Sequence, residues 1–224
     1  MIIYVNSFDF PEKSFVQIKN KWKDIGGEDC CTNKCINTDK PVGNCIEGNG
    51  FINIINDENI KYINRVEGKD NRYPVIYTED SFMKPRYCLN HNLFYFEYKC
   101  KFEGKNKWMF IGLKNCNSNK YIYYCTCYNK IYNEKNEGFK VQQNIWNDND
   151  IFGCGLVYPP NNNKNENPYV FFTKNGKQVG KALLLKENFD LYKPFVELYC
   201  CSVEANFGND LTTKPFSYDI SEKA

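Results

Sequence analysis

The chain has 224 residues, enough for one sandwich or barrel with a sizeable core and too few for two full domains. Its 29 basic residues against 27 acidic ones leave a formal net charge of +2, which disfavours nucleic-acid binding through charge. No apolar run approaches the roughly 20 residues needed to cross a bilayer, and Met1–Asn6 is too short and lacks the basic residues of a secretory leader, so the expectation is a cytoplasmic protein with no membrane partner.

Residues 1–45 read as an irregular N-terminal extension that packs on the domain or stays partly mobile. Within it, Phe15, Ile18 and Trp22 fit one helical face as well as Phe15–Ile18 fits a strand, and so short a run leaves both open. Ile25–Asp29 and Thr38–Gly43 are rich in turn formers. From residue 46 the pattern becomes strand, turn, strand. Gly50–Ile55 and Ile60–Ile63 read as strands. Leu93–Phe102 alternates most clearly, with Phe94, Phe96, Tyr98, Cys100 and Phe102 on one side and Tyr95, Glu97, Lys99 and Lys101 on the other. A turn at Glu103–Asn106 leads into Trp108–Leu113, giving a hairpin. Tyr121–Tyr128, Ile151–Val157, Tyr169–Thr173, Gln178–Val179, Phe195–Cys200 and Val203–Phe207 follow. Asn175–Gly176 is the preferred centre of a type I′ turn, because both residues must take positive φ. With no long amphipathic helix and no internal repeat, the chain is expected to form an all-β, antiparallel two-sheet sandwich.

The later segments, in order, are Tyr95-Phe96-Glu97, Phe110-Ile111-Gly112-Leu113, Asp150-Ile151-Phe152-Gly153-Cys154, Phe171-Phe172-Thr173-Lys174-Asn175-Gly176, Leu191–Val196 and Val203–Gly208. This series resembles a SPRY domain over residues 46–220. Phe216-Ser217-Tyr218-Asp219-Ile220 after Asn206-Phe207-Gly208 resembles the RanBPM-type subgroup. The resemblance implies a concanavalin-like jelly roll and a non-catalytic interaction module. Such a module would bind a short peptide of a partner protein through loops at one end, and recruit or scaffold for a larger complex such as a ubiquitin ligase. It places the peptide contacts at Arg72, Tyr73 and Tyr77, at Tyr121 and Tyr123, and at Tyr199 and Cys200. Tyrosine suits this role, offering rigid area and one hydroxyl at low entropic expense. The chain departs from the family at Lys120–Tyr128, which is bulky where relatives are glycine-rich, and in a longer loop at Pro159–Pro168. A carbohydrate-binding sandwich is the alternative.

The 12 cysteines are scattered, and most read as reduced, buried or half-buried thiols, with a disulfide-rich secreted protein as the alternative. Cys30-Cys31-x3-Cys35 with Cys45 has part of a zinc-site spacing, but the second pair is missing and Cys125 or Cys127 would have to complete it. The expectation is free thiols, no metal and no cofactor. Vicinal Cys200 and Cys201 read as alternating faces of one strand, with one in the core. A Cys–His hydrolase has a single histidine to draw on, His91, which reads as a solvated turn residue. Asp150 reads as the start of a strand after the Asn147–Asn149 turn. The expected partner is a protein or peptide, and the chain is expected to be a monomer.

Overall fold

The alternation of Leu93–Phe102 organises the molecule. In a computed structural model describing residues 13–27, 30–31, 45–64, 69–87, 89–142, 145–162, 166–185 and 191–221, this run is strand β7 (His91–Phe102) at the centre of the first of two sheets. Met1–Asn6, Cys35, Arg65 and Asn163–Asn165 lie outside the described residues. Phe94, Phe96, Tyr98 and Cys100 point into the main core, where each fully buried ring stabilises the fold by about 2 kcal/mol.

Across the first sheet, β14 (Lys177–Leu184), β13 (Tyr169–Lys174) and β12 (Ile151–Tyr158) lie on one side of β7; β16 (Cys201–Asn206), β4 (Asn59–Ile63) and β3 (Phe51–Ile54) lie on the other. A short strand, β1 (Lys13–Phe15), runs parallel to the start of β7. The second sheet runs β11 (Gly138–Lys140), β10 (Lys130–Tyr132), β9 (Tyr121–Cys125), β8 (Trp108–Asn115), β15 (Leu191–Tyr199), β5 (Val75–Thr78) and β2 (Trp22–Gly26), with β6 (Phe82–Met83) also pairing β15. Apart from β1 the named strand pairs are antiparallel, and the described residues contain no helix. This is the antiparallel two-sheet sandwich expected from the sequence.

Residues 13–27 are built into that sandwich. Both β1 and β2 hydrogen-bond to sheet strands, and Trp22 reaches the core, its ring 5.1 Å from Tyr98 and 5.2 Å from Phe207. Neither alternative at Phe15–Ile18 describes the run: β1 ends at Phe15, and Val16–Ile18 are neither strand nor helix. The Asn175–Gly176 turn also forms as expected, with φ of 48° and 77°. Asp150 ties this hairpin to the preceding turn: its carboxylate accepts the Asn147 amide at 2.7 Å and the Asn175 side chain at 2.8 Å, and pairs with Lys174 at 2.8 Å.

Two local readings are corrected. Cys200 and Cys201 do not share a strand. Cys200 forms the corner between β15 and β16 with a φ of 52°, and both residues are buried because the chain there crosses from one sheet to the other. His91 is not a solvated turn residue. It opens β7, is 6% exposed, and its Nε2 lies 2.7 Å from Glu166 Oε2.

The two sheets differ in how their outer faces are finished. On the first, Leu93, Tyr95, Val157 and Phe171 form a second apolar cluster that is roofed by Tyr218, with Phe15, Phe216 and Ile220 packed against it. Tyr95 lies 4.9 Å from Phe216 and 5.2 Å from Tyr218, ring to ring. Glu97 anchors this roof, accepting the Ser217 and Tyr218 amides at 2.9 Å each.

Candidate functional site

Alternation along the second sheet puts Ile111, Leu113, Ile122, Tyr124, Val196 and Leu198 in the core. Their neighbours face outward, and unusually many are aromatic. Register brings them into rows: Tyr77 pairs with Phe195, Phe195 with Gly112, Gly112 with Tyr123, and Tyr123 with Tyr132. The next row carries Val75, Glu197, Phe110 and Cys125. The row beyond holds Tyr199 opposite Trp108.

The rings form two ridges. One runs Tyr73, Trp108, Phe110, Tyr123, Tyr132, with successive centroids 5.9, 4.9, 4.9 and 4.8 Å apart, and Tyr199 stacks on Trp108 at 5.4 Å. The other is a cluster in which Phe195 sits 6.3 Å from Tyr77 and 5.1 Å from Tyr121, while the Tyr77 and Tyr121 hydroxyls share a hydrogen bond of 2.7 Å. Lys114 caps this cluster, its Nζ 5.1 Å from the Tyr77 ring centroid. Between the ridges lies a hollow of about 440 Å³, bounded by Val75, Phe110, Tyr121, Tyr123, Phe195 and Glu197, with Asn133, Glu134 and Asn136 at one end. Gly112 lies in register between Phe195 and Tyr123, and its lack of a side chain lets the β9 backbone approach closely at Ile122 and Tyr123.

Five of the seven residues singled out from the sequence, Tyr73, Tyr77, Tyr121, Tyr123 and Tyr199, are brought together on or beside this face. Four of them stand on strands β5, β9 and β15 rather than in loops at one end, as alternation within those strands requires. The other two stand apart. Cys200 belongs to the core at 3% exposure and receives the Asn71 amide at 3.1 Å. Arg72 is held by its backbone, its amide bonding the Gly50 carbonyl and its own carbonyl accepting the Tyr62 hydroxyl at 2.6 Å. Phe110, Trp108, Phe195, Tyr132 and Glu197 were not anticipated. The outward alternation of Phe195-x-Glu197-x-Tyr199 was the available signal.

Burial shapes the chemistry of the hollow. It pushes the Tyr123 phenol up to about 12 and raises Tyr77 as well, where the bond to Tyr121 adds to the effect. Both are therefore neutral donors near neutral pH. Burial pushes the Glu197 carboxyl up to about 7. An unfolded glutamate titrates near about 4.3, so between that pH and about 7 the folded state holds the extra proton. Stability from this group is fully present below the unfolded value and is lost as pH rises through about 7. Glu197→Gln is accordingly expected to raise stability by up to about 4 kcal/mol at pH 8, less where solvent screens this partly exposed group, and to leave it nearly unchanged at pH 4. Thermal melts of both proteins across that range check it, and a gap independent of pH would contradict it.

The thiols are distributed otherwise than a Cys125- or Cys127-completed site requires. Cys125 and Cys127 lie 3.1 Å from each other at the end of β9. A separate group comprises Cys30, Cys31 and Cys45, whose sulfurs all lie within 4.8 Å of one another. No disulfide joins any of the five to another described residue.

No protein-family model matches the chain, and no curated protein matches it. Among solved structures it is similar to a human SPRY domain, with 20% identity and a TM-score of 0.51 over 71% of this chain and 97% of that one. It is also similar to the SPRY domain of human HERC1, with 12% identity and a TM-score of 0.49 over 71% and 94%. A peanut lectin bound to a nine-residue peptide follows, with 10% identity and a TM-score of 0.38 over 73% and 93%. The first of these likenesses shows a SPRY-type fold.

Proposed function

We propose that this chain is a non-catalytic protein-interaction module whose open aromatic face binds an extended segment of a partner protein. The observation that carries the reading is the contrast between the two outer faces. One is roofed by the chain's own Phe216–Ile220 segment, while the other presents two aromatic ridges around an unfilled hollow. An apolar hollow fringed by a few polar groups is the usual form of a binding site. The rings also lie against one another, Tyr123 on Tyr132 at 14° and Trp108 on Tyr199 at 5°. Ring faces spent on each other leave edges and hydroxyls for the ligand, which suits peptide groups better than the flat stacking sugars use. On this reading Tyr121, Tyr123 and Phe195 would grip one apolar side chain of the segment, with neighbouring hydroxyls meeting its backbone. A RanBPM-type, monomeric, cytoplasmic recruiting subunit within a larger complex such as a ubiquitin ligase is the form of that role we favour.

The test is selection of peptides from a random-sequence display library on the full chain. A recurring apolar or aromatic anchor is expected, and Tyr121→Ala/Tyr123→Ala should weaken its binding by about thirtyfold, the effect of losing roughly 2 kcal/mol at a hot spot. Thermal melts confirm that the variant is folded. Peptides bound equally by wild type and variant would place the site elsewhere, and retention on a glycan array without peptide enrichment would favour the lectin alternative.

A further inference from the structure

The chain between β2 and β3 gathers three thiols at one point. Cys30 and Cys31 are 0% and 5% exposed, and Cys45 is half-buried beside them. This small cluster stands apart from the main core, with Phe51 and Ile63 as its other apolar members. The backbone is arranged to bring the sulfurs together. A turn closed by the Gly48 amide on the Cys45 carbonyl at 2.8 Å, with Gly48 at a φ of 68°, swings the chain back. The buried Asn49 side chain then donates to the Cys30 carbonyl at 2.7 Å, fastening the Cys45 segment to the Cys30 segment. The Cys45 sulfur itself sits 3.6 Å from that same carbonyl.

The sulfur spacing fits a metal better than a disulfide. Cys30 Sγ and Cys31 Sγ are 3.8 Å apart. A disulfide needs about 2.05 Å and would leave the third thiol unused. Zinc–sulfur bonds of about 2.3 Å in a tetrahedron put neighbouring sulfurs about 3.8 Å apart. Three soft donors of one kind select a thiophilic cation over a hard one. We propose that Cys30, Cys31 and Cys45 form a zinc site. Binding would exchange three thiol protons, released to solvent, for one Zn²⁺ held by these three thiolates, with no fourth protein ligand among the described residues. The ion would fasten the Cys30–Cys31 segment to the segment at Cys45. The site is separate from the aromatic face, so the peptide reading and this one stand or fall independently.

The test uses the full chain, reduced and stripped with a chelator, then given Zn²⁺ alone and passed through gel filtration. About one zinc per chain should be retained, as for a single structural site. Co²⁺ in its place should give the visible bands of a tetrahedral ion together with intense thiolate-to-cobalt charge transfer. Cys45→Ser should lower zinc affinity by about tenfold or more, whereas Cys127→Ser at the exposed thiol should not change it. The cobalt spectrum of the wild type needs no variant, so it decides the matter even if Cys45→Ser fails to fold. Failure to retain zinc, a cobalt spectrum without thiolate charge transfer, zinc held equally by a folded Cys45→Ser chain, or a disulfide between any two of the three in protein isolated with zinc would each overturn the proposal.

Discussion

Glu97→Ala is expected to lower stability by about 4 kcal/mol, near the upper end for a single substitution. The carboxylate is 3% exposed and accepts the Ser217 amide, the Tyr218 amide and the Tyr95 hydroxyl, the last at 3.2 Å. Removing it strands the buried Tyr218 amide, at about 1–3 kcal/mol, and takes an acceptor from the part-buried Ser217 amide and from the buried Tyr95 hydroxyl. The roof it anchors covers Tyr95 and Phe171, so its release also exposes stacked rings. Burial raises the carboxyl above its ordinary range even though the two amides pull it down, which places the group in a dry environment. Glu97→Gln keeps one acceptor but turns an NH2 toward the other amide, and a smaller loss of about 2 kcal/mol should result. Denaturant midpoints measure both. Limited proteolysis should cut Glu97→Ala within Phe216–Ile220 before the rest of the chain is digested, and an unchanged midpoint and digestion pattern would show that the roof is held by other contacts.

Gly112→Ala should lower stability by about 3 kcal/mol or more and, on the proposed reading of the aromatic face, abolish peptide binding with it. A Cβ at this position would meet the Ile122 carbonyl oxygen at 1.9 Å and the Tyr123 Cα at 2.7 Å. Both are backbone atoms of the neighbouring strand, so no rotamer change relieves the collision, and β8 and β9 must separate. Tyr121 and Tyr123 ride on β9, so the hollow loses one wall as the strand shifts. Gly104→Ala is the matched control, because its new methyl meets side-chain atoms at 3.2 Å or more. Thermal melts that rank the two variants equally would refute the argument.

How far the sequence could be read follows from the same packing. β7 and β12 were legible because one side of each must be apolar and their ends are marked by turns. The Asn175–Gly176 hairpin was legible because its turn residues have a specific backbone need. By contrast, β10 and β11 hold three residues each and offer no period to detect. The aromatic face was hidden for a different reason. In Tyr121–Cys125 the outward Tyr121 and Tyr123 differ little in polarity from the inward Ile122 and Tyr124, so alternation gives no sign of which side meets water. Its tyrosines were found through family resemblance, while Phe110, Phe195 and Glu197 needed the register. The Cys30–Cys31–Cys45 meeting depends on the Gly48 turn and the Asn49 bond, neither of which spacing alone reveals.

The corner at Cys200 bears on how the molecule comes into being. Just before it, β15 is inserted between β8 and β5; just after it, β16 is inserted between β7 and β4. One short stretch therefore supplies an interior strand to each layer. While a ribosome is still making the chain, neither layer can close until Leu191–Asn206 has emerged, and pairs such as Cys201 with Phe102 join segments far apart in sequence. Topology of this kind folds slowly, and the unclosed edges of β7 and β8 are left as templates for pairing with other chains in the interval.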